Sequence, residues 1–229
     1  MKSILLCTAL AAAALTLGLG TTPAVSPGAV TPVTHYRDSV EFPATVNASG
    51  FGRHVLGMPG YHLIVWKGGR ASGEALFQTA VTDVQILDAL EALGAKPGNN
   101  LPMETWDDRK DPKSKAPDMI IAGPAIDVLV RVPGRAEPLT LDQILTGQQG
   151  IAMRLGGHRA NIPKWKSGCI ACLYSCPGSK VGNAKATVRD YVRDPDRYQV
   201  RPGVLPADGT GVRVVLRLAG GQTPQKPHG

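Results

Sequence analysis

Three cysteines fall within eight residues, Cys169-x-x-Cys172-x-x-x-Cys176-Pro177, and no other feature restricts the fold of this chain so tightly. Cysteines that serve as small buried hydrophobes are scattered. Clustered ones serve as soft ligands or exchangeable thiols. Whatever the architecture, it has to bring three sulfurs to one place. The fourth cysteine, Cys7, lies in an apolar N-terminal run that reads as a removable export signal.

The spacing predicts a short helix over 168–175, capped by Ser167. In it Cys169, Cys172 and Cys176 stand at i, i+3 and i+7 and share one face. Pro177 ends it. Residues 154–201 hold ten basic residues and three acids, which equals the whole net charge of +7. A local positive field favours thiolate, the form that attacks and that binds metal. Lys164, Lys166 and Lys180 are the cations expected to tune such a site. A plain solvated basic face is the competing reading.

Three chemistries remain open for this stretch. C-x2-C-x3-C-P matches the last three cysteines of a bacterial ferredoxin run, with Lys166 where the first ligand would stand. Cys169, Cys172 and Cys176 then bind a 4Fe-4S cluster or another soft metal for electron transfer or metal handling, with His158, another chain, a substrate or solvent at the fourth position. Zinc on three cysteines and His158 fits by count. The second reading is a thiol–disulfide redox protein, with Cys169 as nucleophile and Cys172 resolving it. The third is a non-catalytic envelope-binding module with a structural disulfide and a spare thiol. No Gly-x-Ser-x-Gly, His-Glu-x-x-His or phosphate-cradling loop competes with these.

Lys2 followed by the apolar run Ile4 to Gly20, with small residues after it, reads as a secretory signal over 1–24. The mature protein is then periplasmic or otherwise exported, with no stable membrane span after cleavage. No twin-arginine pair precedes the run, so export of an unfolded chain is expected. An oxidising compartment in turn favours disulfides over a pre-built cluster. Residues 25–55 read as an extended lead-in, 56–219 as one domain and 220–229 as a flexible tail.

Within the domain, Tyr61–Trp66 and Ala75–Val81 read as strands. Thr82 and Gln85 have capping-box spacing and open a helix whose stripe is Val84, Leu87, Leu90 and Leu93. Ile126–Val132 alternates, Leu139–Leu145 reads as a short helix, and Ile151–Leu155 as a strand. Asn183–Val192 reads as a helix capped by Asn183. Tyr198–Arg201 and Val212–Leu218 complete the strands. Strands in groups with few helices predict an α+β fold: a mixed or mostly antiparallel sheet with a few short helices in a single compact domain.

The run Trp165-Lys166-Ser167-Gly168-Cys169 to Cys176-Pro177-Gly178 resembles the YdjY-type exported proteins of bacteria. Lys180-Val181-Gly182-Asn183-Ala184 after it, and Leu93-Gly94-Ala95-Lys96-Pro97-Gly98-Asn99-Asn100 before it, extend the likeness. It covers about Tyr61 to Leu218. The family is described as ferredoxin-like from these cysteines and has no assigned role. The resemblance implies an exported location and a cluster as candidate cofactor, but no substrate. The expected partner is a redox or envelope protein, not a nucleic acid.

Overall fold

The computed structural model describes residues 33–51, 60–147, 150–194 and 197–220. The signal over 1–24 and most of the tail lie outside them. In chain order the strands are β1 (Thr34–His35), β2 (Ser39–Val46), β3 (His62–Trp66), β4 (Phe77–Thr79), β5 (Ile126–Arg131), β6 (Leu139–Thr140), β7 (Leu145–Thr146), β8 (Met153–Leu155), β9 (Cys169–Cys172), β10 (Val181–Asn183), β11 (Gln199–Val200) and β12 (Gly211–Leu218). The helices are α1 (Ala48–Phe51), α2 (Asp83–Ala92), α3 (Glu104–Asp107), α4 (Leu141–Ile144), α5 (Ile162–Trp165) and α6 (Val188–Arg193).

The alternation in β12 makes it the spine of the sheet. Val212, Val214 and Leu216 are buried, while Arg213 and Arg217 turn to Glu41 and Asp127. β2 and β5 pair with it on either side, both antiparallel. The full order is β6-β5-β12-β2-β4-β3-β9-β10-β8, with β1 on β2 and a separate β7–β11 pair. β3–β4 and β9–β10 are parallel and the other pairs antiparallel, so the sheet is mixed, as the strand grouping predicts. Its two ends approach one another. Ala125, just before β5, bridges Arg154 of β8, and Leu155 donates to the Pro124 carbonyl at 2.9 Å. The sheet therefore curls most of the way to a barrel, which removes exposed edges.

Within residues 34–51, β1 and β2 belong to this sheet and α1 follows, so this part of the expected lead-in is folded into the domain. Pro43 hides the strand from a sequence reading, because proline cannot donate to a ladder. β2 tolerates it because β1 stops at Glu41 and β4 begins at Thr45 on that side. The Pro43 carbonyl accepts instead from Thr79 Oγ1 at 2.7 Å.

α2 starts with the predicted capping box, Thr82 and Gln85 each accepting from the other's backbone. Its buried stripe differs: Ile86, Leu87, Ala89 and Leu90 face the sheet, and Val84 is 37% exposed. Steps of three residues rotate by about 60° each at 3.6 residues per turn, so four positions three apart cannot share one wall. Asn183 ends β10 rather than capping a helix, and Thr187 caps α6 with Asp190 as its reciprocal partner. Thr140 caps α4 with Gln143 as its reciprocal partner.

Leu90→Ala removes a side chain with 0% exposure from the α2–sheet contact. It should cost about 2–5 kcal/mol in urea unfolding, whereas Val84→Ala should stay within about 0.5 kcal/mol.

Candidate functional site

The cysteine stretch is a strand, not the helix that the i, i+3, i+7 spacing predicts. α5 ends at Trp165, because Lys166 takes a left-handed φ of 53° and Gly168 one of 69°. Extended chain follows. β9 lies inside the sheet, antiparallel to β3 and parallel to β10. Cys169, Ile170, Ala171 and Cys172 are all at most 1% exposed. A strand buried on both faces reads as a continuous apolar run, which periodicity cannot separate from a helix.

In a regular strand residues three apart point to opposite faces. β9 is not regular. His62 is opposite Cys172, Ile64 opposite Ala171 and Val65 opposite Cys169, with register shifts between both neighbouring pairs. The first shift adds a residue on β3 and the second one on β9. Bulges of this kind re-aim side chains, and here they turn Cys169 and Cys172 toward each other. The chain then crosses from β9 to β10 through 173–180. On that crossover the Cys176 carbonyl accepts from Ser179 N at 3.1 Å and from Ser179 Oγ at 2.8 Å. This turn brings Cys176 back to Cys172.

The three thiols are free and at most 2% exposed. Cys172 hydrogen-bonds with both Cys169 and Cys176. His62 Nδ1 lies 3.4 Å from Cys169 Sγ. That hydrogen bond from Cys172 is the main force holding Cys169 down at about 5; burial opposes it, and His62 and Lys180 add to it. Burial, followed by the bonds to its two neighbours, pushes Cys172 well up. The arrangement favours ionisation at Cys169 and the protonated thiol at Cys172.

Lys180 is the one predicted cation that the fold brings to the thiols. It is 2% exposed, and its Nζ is 2.5 Å from Asp83 Oδ2 and 3.2 Å from the Gly178 carbonyl. Lys164 and Lys166 are exposed. His158 precedes a 3-10 turn at Arg159–Asn161, and its buried Nδ1 has no partner. His62, 107 residues from Cys169 in sequence, takes the place expected of it. Tyr61, Tyr174, Tyr191 and Trp106 form a ring-to-ring shell beside the thiols, Tyr61 with centroids 4.4 Å from Tyr191 and 6.1 Å from both others. Burial, then the three cysteines, raises the Tyr61 hydroxyl far above its ordinary value. The sequence shows Tyr61 and His62 as strand residues, and nothing local ties them to the cysteines.

Two measurements check this arrangement. Thiolate ultraviolet absorbance of the reduced protein should fall as pH drops through about 5. Cys172→Ala should move that midpoint up toward the ordinary thiol range of about 8.5, because the bond that holds the anion is gone. Lys180→Met leaves Asp83 buried and unpaired and should cost about 3–5 kcal/mol. The double change Lys180→Met with Asp83→Leu should recover most of the loss in thermal melts.

The YdjY domain family model matches residues 33–217. The "Uncharacterized protein YdjY" of Escherichia coli (strain K12) is 30% identical over 161 residues, which is 69% of this chain and 67% of that protein. No solved structure matches the chain.

Proposed function

This chain belongs to the YdjY domain family, and on that premise we propose that it is an exported protein holding one soft metal ion on Cys169, Cys172, Cys176 and His62. The ion serves metal handling or electron transfer. The carrying observation is the convergence of three buried free thiols with an imidazole nitrogen 3.4 Å from one of them. Thiolate and imidazole suit zinc and cuprous ions. Burial of all four side chains resembles a closed site, where no position is kept for substrate.

Among the described residues no three His, Cys, Asp or Glu side chains already surround an ion position. Loading therefore includes rotation of a thiol about its Cα–Cβ bond. A 4Fe-4S cluster is the poorer fit. Cys172 hydrogen-bonds with both neighbouring thiols, and a cluster has to stand between its ligands. Lys166, at the missing ligand position, is exposed.

The opposed displacement of Cys169 and Cys172 favours a second reading, a dithiol. Cys169 attacks a disulfide of a partner, Cys172 then displaces that partner, and the pair loses two electrons and two protons to it. Exposure of 0–2% stands against this, since exchange requires access. Export is part of the proposal and rests on residues 1–24. Among the described residues no helix is long and apolar enough to cross a membrane.

Cobalt(II) titration of the anaerobic mature protein tests the proposal. It should give thiolate-to-cobalt charge-transfer bands that saturate at one ion per chain. Cys169→Ser and His62→Ala should each weaken binding by about tenfold or more. Absence of bands, or iron recovered with an equal count of acid-labile sulfide, would sink the single-ion reading. Zinc-independent, reversible loss of two thiols on oxidation would favour the dithiol.

A further inference from the structure

Two tight turns meet at the end of β3 and the start of β9. The first, after β3, carries Lys67 and Arg70, and the second, after α5, follows Lys164 and carries Lys166. Arg70 N donates to the Lys166 carbonyl and Ala71 N to that of Ser167, both at 3.2 Å. Trp66 N donates to Gly168 O at 2.9 Å. All four cations are exposed. None of them enters an ion pair among the described residues. Arg159, Arg193 and Arg197, from the same basic stretch, all do. The nearest acid in sequence is Glu74, half-buried, whose charge helps to raise the Tyr191 hydroxyl after burial.

Two tryptophans stand among these charges. Trp66 lies against Gly68, where a Cβ would come within 2.4 Å of its ring, and Trp165 lies against Gly178 in the same way at 2.5 Å. Both rings are half-buried. Partly exposed tryptophan with arginine is the composition of binding hot spots, and unpaired cations around it steer an oppositely charged surface. Anionic lipid offers the same charge. However, the exposed large apolar side chains of the described residues are Tyr36, Val84 and Ile120, none of them in these turns, and the half-buried Trp66 and Trp165 offer a bilayer only part of each ring.

We infer that the surface formed by Lys67, Arg70, Lys164, Lys166, Trp66 and Trp165 docks an acidic protein partner. The place gives the contact a use. Gly168 joins the patch directly to Cys169, and Trp165 reaches Gly178, two residues after Cys176. Trp165 also packs on Trp106 with centroids 5.1 Å apart, and Trp106 on Tyr61 at 6.1 Å. A partner seated there connects to the thiol surroundings through the Trp165, Trp106 and Tyr61 rings. The inference stands whichever group those thiols hold.

The test uses poly-L-glutamate as a stand-in for surface carboxylates and tryptophan fluorescence of the full mature chain as readout. One variant is Lys67→Glu, Arg70→Glu, Lys164→Glu and Lys166→Glu. The control reverses four exposed cations elsewhere, Lys96→Glu, Lys113→Glu, Arg135→Glu and Lys185→Glu, and so has the same net charge. The first should lose binding more than tenfold and the control less than threefold, with both melting like the parent. Equal loss from both variants would overturn the inference. So would patch-dependent binding to vesicles of phosphatidylglycerol and phosphatidylcholine in equal parts that exceeds binding to poly-L-glutamate. Cobalt binding by both variants should match the parent, which separates this result from the metal reading.

Discussion

Two glycines meet where β3 leaves the sheet and β9 enters it, and the thiol site depends on that contact. A Cβ on Gly69 would stand 2.1 Å from the Ser167 carbonyl oxygen, and one on Gly168 would stand 2.7 Å from the Gly69 Cα. Gly168 is also left-handed, at φ 69°. Only glycine meets both demands. The close crossing lets Trp66 bond to Gly168, and this fixes where β9 begins against β3. The register then needs its two bulges, and the bulges put Cys169, Cys172 and His62 on one side. A larger residue at either glycine would move the strand start and with it every sulfur.

Around this contact the fold supplies two further conditions. One is charge. Lys180 and Asp83 are buried together, and the lysine adds to the field on Cys169 while the aspartate keeps it paired. A buried pair of this kind adds little net stability, but breaking it is costly, so it fixes geometry more than it strengthens the fold. The other condition is dryness. The tyrosine and tryptophan rings leave the thiols at most 2% exposed, and burial there raises the hydroxyls of Tyr61, Tyr174 and Tyr191 above their ordinary value. A thiolate in such a place is stabilised by neighbours rather than by water.

Elements are legible in the sequence wherever their cause is itself local. The capping box at Thr82 and Gln85, the alternation in β12, and the β-type run ending at Trp66 all match the structure. The errors have physical reasons. Pro43 concealed β2, because its compatibility with a central strand depends on a gap between two other strands. Cys169–Cys172 read as a helix, because a strand buried on both faces has no period. Asn183 looked like a cap, but its side chain is used inside, donating to the Leu173 carbonyl at 3.2 Å and to Tyr198 Oη at 2.8 Å. At the site, the three cysteines were legible and their fourth neighbour was not. His158 is near in sequence, whereas His62 is near in space.

By itself the sequence determined that three cysteines cluster, that positive charge gathers around them, and that the surrounding domain would be a mixed or mostly antiparallel sheet with short helices. Those outcomes follow from residue identity and from spacings of a few positions. The tertiary structure decided which histidine and which lysine join the thiols, that the stretch is a strand, and that solvent is kept out. These depend on strand pairing between segments about a hundred residues apart. Such pairing is set by the packing of the whole sheet, which no short window of sequence contains.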